Sequence, residues 1–199
     1  MRVMIRATFA LLWTIAAICL VPALAQPVPA PESQPTAELA LAYSYVLANA
    51  PPAGCGCFSM NGGSASLAYR LSRSVSVVGE AGAVDSGNVD ATGLDLTLSS
   101  FLAGPRYSLR KSGRFTPFGQ VLLGAAHASG GLAPAQINAG SSTAFAMAAG
   151  GGVDIQLNRR FALRAFQTDY LLTLLPNRVN DHQNNFRLST GVIFQFGRR

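Results

Sequence analysis

From Phe186 to Phe196 the chain alternates without a break. Phe186, Leu188, Thr190, Val192, Phe194 and Phe196 share one face; Arg187, Ser189, Gly191, Ile193 and Gln195 share the other. A period of two belongs to a strand whose two faces meet different surroundings. The same period recurs upstream. Residues 38–48 set Leu39, Leu41, Tyr43, Tyr45 and Leu47 against Glu38, Ala40, Ala42, Ser44 and Val46. Residues 63–73 set Ala65, Leu67, Tyr69 and Leu71 against Ser64, Ser66, Ala68 and Arg70. Segments 75–84, 94–110, 115–128, 144–157 and 161–175 complete eight predicted strands. In 94–110 the phase slips near Ser99-Ser100, which predicts a β-bulge there. The connections alternate in kind. Tight turns are expected around Ser72–Ser74, at 111–113 and at Asn158–Arg160. Longer loops rich in Gly, Pro, Asn and Asp are expected at 49–62, 85–93, 129–143 and 176–183. Short turns on one side and long loops on the other describe an up-and-down meander.

What decides the architecture is the chemistry of the two faces. In a soluble sandwich the non-aliphatic face would carry Lys, Glu and Thr. Here it is Ala, Gly and Ser with a few isolated charges, which is small rather than water-loving. Such a face fits the narrow lumen of an eight-stranded barrel, which side chains just fill. The aliphatic face then meets lipid, where a Lys or Arg near mid-membrane costs on the order of 2–4 kcal/mol. Sheet edges cannot stay open in lipid, so the last strand must pair with the first. Composition agrees: 49% of the chain is hydrophobic and only 12% charged, less charge than a water-exposed domain normally carries. Tyr107, Phe115, Phe161, Phe194 and Phe196 near strand ends predict an interfacial girdle.

The first residues set the compartment. Arg2 and Arg6 precede a run of about 15 apolar residues, short for a spanning helix. Ala23-Leu24-Ala25 is a small-x-small cleavage signal. Residues 1–25 therefore read as a secretory signal peptide and 26–37 as a Pro-rich periplasmic linker. Residues 38–199 form the barrel. Cys19, preceded by Ile18 inside the apolar run, is a poor lipidation site.

Two stretches, "FLAGPRYSLR…FTPFGQVLLGAAHA" and "FRLSTGVIFQF", resemble the small OmpA-like outer membrane β-barrel proteins of Gram-negative bacteria. The first looks like their strand–short-turn–strand hairpin. The second is similar to the closing strand that the barrel assembly machinery reads, although Gly197-Arg198-Arg199 follow the last aromatic. The resemblance covers essentially all of 38–199. It implies an all-β, eight-stranded antiparallel barrel in the bacterial outer membrane, monomeric, surrounded by outer membrane lipids. No peptidoglycan-binding domain is expected after it.

Candidate chemistry sits on the inward face. Glu80, Arg106, Asp154, Arg164 and Arg187 are expected inside, with Asp169 if the seventh strand carries a bulge. Buried charges must pair, so these residues are expected to form a Glu/Asp–Arg network that plugs the lumen; a narrow porin-like channel is the rival. Cys55-Gly56-Cys57 in the first long loop could form a strained local disulfide. A rim zinc site with His127 and His182 is conceivable, but two thiolates alone are too few ligands, and no metal or cofactor is expected. His127-Ala128-Ser129 resembles the His-x-Ser of lipid A deacylase barrels, yet no Glu follows to orient the histidine. No enzymatic activity is therefore expected. Residues 149–152, "AGGG", lack the strand-to-helix context and Lys of a phosphate cradle.

The net charge is +6. The short-turn end carries Arg70, Arg73, Arg110, Lys111, Arg114, Arg159, Arg160, Arg198 and Arg199 with no acid expected beside them. The long loops carry Asp85, Asp90 and Asp181 against Arg178. Without base-stacking aromatics this basic rim does not indicate nucleic acid. It either meets inner-leaflet headgroups or is simply solvated. The expected role is structural or adhesive, through an unidentified extracellular ligand.

Overall fold

The computed structural model describes residues 35–50, 56–87, 95–109, 113–130, 141–176 and 181–197. The expected leader, most of the linker, and Cys55 lie outside them. Within them the alternating segments form β1 (Ala37–Ala50), β2 (Gly56–Arg70), β3 (Val75–Ser86) and β4 (Leu96–Ser108). Then follow β5 (Phe115–Ser129), β6 (Ser141–Gln156), β7 (Phe161–Thr173) and β8 (Gln183–Phe196). All neighbours pair antiparallel, and β8 returns to β1 with Ala37 opposite Phe196 and Leu47 opposite Phe186. The sheet is a closed barrel with no free edge, as lipid demands. Its strands run from 12 to 16 residues, longer than the roughly 9–11 that span the hydrocarbon, so they project beyond it.

The faces are inside-out relative to a water-soluble sheet. Leu67, Phe101, Tyr107 and Phe115 are more than half exposed on the outside. The inward Ser44, Glu80, Gln120 and Arg187 are buried. An exposed Leu or Phe forfeits about 1.5–3 kcal/mol in water and nothing in hydrocarbon. At the short-turn end Phe161 and Phe194 meet edge to face, with ring centroids 5.3 Å apart, beside the exposed Phe115 and Phe196.

Three sequence expectations change. The first concerns β4, which carries no bulge at Ser99-Ser100. Its register against β3 runs unshifted from Leu96 to Tyr107, and Leu98, Ser100, Leu102 and Arg106 are all buried inside. Leu98 and Leu102 produced the apparent slip, because they are aliphatic residues that face the lumen.

The second concerns the loop expected at 49–62, most of which is strand. Asn61-Gly62-Gly63 looks like a turn, but Gly62 lies in the sheet opposite Val84. A Cβ there would overlap the Ala83 carbonyl oxygen. The glycine serves a close strand approach, not a reversal. Cys57 therefore belongs to β2, its backbone opposite Asn49.

The third concerns the lumen, which is polar in only part of its length. Toward the long loops Val46, Met60, Val84, Leu98, Ala126 and Leu171 pack into a buried aliphatic cluster. Ile193, on the inward face of β8, packs with Ala40 and Ala162 nearer the short turns.

Candidate functional site: the charged interior of the barrel

The interior charges are organised by one irregularity in β7. Val153 pairs with Phe166, yet Asp154 pairs with Arg164, so Ala165 is an extra residue. The register against β8 shifts at the same place, between Arg164 and Gln167. This β-bulge reverses the phase. Arg164 faces inward on one side of it, and Gln167 and Asp169 face inward on the other. Without it the latter two would point into lipid. Thr190, on the outer face of β8, donates its hydroxyl to the carbonyls of Arg164 (3.0 Å) and Ala165 (3.3 Å). A polar residue on the lipid side thus satisfies carbonyls that the bulge leaves out of register.

The bulge gathers a continuous chain of side chains. Arg187 donates through Nη1 to Glu80 Oε1 at 2.6 Å, and through Nε and Nη2 to Asp169 Oδ2 at 3.0 and 2.7 Å. Gln167 donates to the same Asp169 oxygen at 2.7 Å and accepts from Arg164 Nη1 at 2.8 Å. Arg164 then closes a bidentate pair on Asp154, Nε to Oδ1 at 2.9 Å and Nη2 to Oδ2 at 3.2 Å. Glu80, Arg187, Asp169, Gln167, Arg164 and Asp154 therefore form one connected network. Five of these six are charged residues that the sequence marks. Gln167 joins its two halves and carries no charge to flag it.

Arg106 is held differently from the expectation of a carboxylate partner. Its Nε and Nη2 both donate to Gln120 Oε1, at 2.9 and 2.7 Å. The Phe118 ring lies 4.6 Å from the Arg106 guanidinium carbon and 4.7 Å from that of Arg164. One aromatic ring thus binds two cations through its π-faces. Neither Gln120 nor Phe118 is conspicuous in the sequence, since each is a single inward residue of an alternating strand.

Nearer the short turns a second cluster stands apart. Arg70 Nη2 donates to Glu38 Oε1 at 3.1 Å. Gln195 reaches the same oxygen at 3.5 Å and receives a hydrogen bond from Gln156 Nε2 at 2.6 Å. This corrects the picture of a short-turn end without acid: Glu38 lies there, buried, and Arg70 turns into the lumen to meet it. Between the network and the aliphatic layer, Ser44, Ser64, Ser100, Leu171 and Arg187 line a cavity of about 10 Å³, room for one water at most.

The remaining sequence candidates are scattered. His127 sits on the outer face of β5, its Nδ1 2.7 Å from Thr143 Oγ1. A hydroxyl thus occupies the place where an orienting carboxylate would stand. Among the described residues no three His, Cys, Asp or Glu side chains converge. Cys55 lies outside the described residues, and with it the Cys55–Cys57 pairing and any rim site built on it.

Taken together, these are a closed barrel of eight strands, apolar outside and ion-paired within. A family model described as "Outer membrane protein beta-barrel domain" matches residues 16–194. The chain belongs to this family. As an outer membrane β-barrel it lies in the bacterial outer membrane. Among solved structures the barrel is similar to Neisserial surface protein A. That likeness has 17% identity and a TM-score of 0.61, covering 83% of this chain and 100% of that one. It is also similar to Ail, the attachment invasion locus protein of Yersinia pestis, solved with the heparin analogue sucrose octasulfate. There the identity is 16% and the TM-score 0.52, covering 80% of this chain and 99% of that one. At these identities the likeness is one of fold. No sequence among the curated proteins matches the chain.

Proposed function

We propose that the chain is a monomeric surface-interaction barrel whose strands hold the outer loops and whose lumen neither conducts nor catalyses. The observation that carries this reading is the filled interior. Among the described residues the ion-paired network, the Phe118 stack and the aliphatic layer fill the interior, and the cavity between network and aliphatic layer measures about 10 Å³. With nothing for the lumen to pass, the exposed working surface is the long-loop end. There the described charges are acidic: Asp85 and Asp181 are exposed at the ends of β3 and before β8, and Asp95 precedes β4. Ail is a protein of attachment, as its name says, and was solved with a polysulfated ligand. The acid-bearing loops of this chain fit a partner surface rich in amines or hydrogen-bond donors instead, since like charges are repelled.

The test is adhesion. Cells displaying the chain should bind wells coated with lysine-rich peptide more than wells coated with heparin. Asp85→Asn/Asp95→Asn/Asp181→Asn should remove the preference while leaving the folded barrel's heat-modifiable gel shift intact. Adhesion equal to that of cells lacking the chain would overturn the proposal.

A further inference from the structure

The opposite end of the barrel carries a second surface, which the loop-end role does not use. Among the described residues the stretches 71–74, 113–114 and 157–160 hold Arg73, Arg114, Arg159 and Arg160 and no Asp or Glu. Glu38, which lies at this end, is buried inside and bonded to Arg70. Arg73, Arg114, Arg159 and Arg160 are exposed. We infer that this rim is a docking surface for the anionic phosphodiester headgroups of inner-leaflet phospholipids.

Depth, geometry and sidedness support that occupant. The arginines stand next to the outward, exposed Leu71, Leu109, Phe115, Leu157 and Phe161. These apolar residues sit at the very ends of the strands and in the turns themselves, so the bilayer surface lies at the level of the turns. Guanidinium groups there lie where phosphates lie.

The turns are also tight and internally bonded. Leu71 and Ser72 N–H both donate to the Val75 carbonyl, at 3.0 and 3.1 Å, and Leu157 and Asn158 N–H to the Phe161 carbonyl, each at 3.1 Å. Asn158 Oδ1 accepts from the backbone N–H of Arg160 and Phe161, at 2.8 and 3.0 Å. Arg114 Nε donates to the Gln156 carbonyl at 3.3 Å. Such turns hold their arginines at the membrane surface and do not extend toward a polymer deeper in the periplasm. A guanidinium offers a phosphate two parallel donors in a fixed fork, which a lysine cannot reproduce. Finally, the charge is sided, since Asp85 and Asp181 occupy the far end. The rim is not a reflection of a generally basic surface.

The experiment uses the full chain, processed by cells and purified from their outer membranes. It is placed in phosphatidylcholine bilayers containing a minority of phosphatidylglycerol, and the lipids retained on the barrel are read by native mass spectrometry. The wild-type barrel should retain phosphatidylglycerol in preference to phosphatidylcholine, and salt should weaken that preference. Replacing Arg73, Arg114, Arg159 or Arg160 singly by Gln should lower it roughly fivefold each, and the fourfold variant should abolish it. Arg→Lys at the same positions should lose less. Asp85→Asn/Asp181→Asn at the other end should leave it unchanged. Each variant is first checked by heat-modifiable gel shift, and the single variants carry the test where the fourfold one does not fold. Equal retention of the two lipids by the wild type, or unchanged retention in all Arg→Gln variants, would overturn the inference. So would loss of binding to purified peptidoglycan sacculi without any change in lipid preference, which would assign the rim to a polymer instead.

Discussion

Replacing Arg187 by leucine should cost the barrel about 3–5 kcal/mol, because breaking a buried ion pair from one side leaves its partners uncompensated. Arg187 holds two carboxylates at once: Glu80 at 2.6 Å and Asp169 at 2.7 Å. Both are buried, Asp169 to 1% relative exposure. Gln167 still donates one hydrogen bond to Asp169 in the variant, but Glu80 loses the cation that pairs with it. The cost therefore belongs at the upper end of that range.

A second variant separates charge from packing. Glu80→Gln/Asp169→Asn/Arg187→Leu removes all three charges together. It should recover most of the loss, since a neutral, well-filled interior is often as stable as a buried ion pair. Arg160→Leu, on the exposed rim, should stay within about 0.5 kcal/mol of wild type in phosphatidylcholine vesicles, which offer the rim no net-anionic lipid. The assay is reversible urea unfolding of the barrel in lipid vesicles, followed by far-ultraviolet circular dichroism. The chain's single Trp, Trp13, lies in the expected leader, so tryptophan fluorescence is not an option. If Arg187→Leu falls within about 1 kcal/mol of wild type, or the triple variant is no better than the single one, the network does not bear on stability as argued.

Gly150→Ala should destabilise by at least about 1–3 kcal/mol, since its Cβ would overlap the Thr168 carbonyl oxygen and lie 2.6 Å from Asp169 Oδ1. Gly79→Ala, with nothing within 4 Å of its Cβ, should be nearly silent in the same urea titration. Thr190→Val removes the hydroxyl that serves the bulge carbonyls and should cost about 0.5–1.5 kcal/mol. No loss would mean the bulge is satisfied without it. Phe196→Ser should lower the amount of barrel assembled in cellular outer membranes while leaving refolding into vesicles unchanged, if the closing strand is read by the assembly machinery. Equal losses in both would reduce Phe196 to an ordinary interfacial anchor.

The alternation made the strands and their two faces legible, because lipid on one side and a narrow lumen on the other impose different residue types at every second position. The sidedness of loops and turns was legible for the same reason as in any meander: Gly, Pro, Asn and Asp cluster where the chain reverses. What stayed hidden has particular causes. A bulge in the seventh strand was legible only as the condition for Asp169 to face inward; its position at Ala165 has no side-chain signature, and it brings Gln167 inward as well. Gly62-Gly63 carries the same residues a turn would, but Gly62 serves a close approach between β2 and β3. Leu98 and Leu102 look like lipid-facing residues, and Met60 falls in a stretch that reads as loop, yet with Val46 they fill the lumen, which packs at one end like the core of a soluble domain. Gln120 and Gln167 carry no charge, so a search for paired charges passes over the two amides that complete the network. Arg70 looked like part of the basic rim because Glu38, its partner, is distant in sequence.

The central claim is that the interior is a filled, ion-paired core rather than a passage. Single-channel recording of the purified chain in planar bilayers tests it most directly. The wild-type barrel should give a flat trace without steady unitary openings. Glu80→Ala/Arg106→Ala/Arg187→Ala, if it folds by the gel-shift criterion, should be the variant that begins to leak. Stable, uniform openings from the wild-type chain would contradict the account and make the lumen a channel.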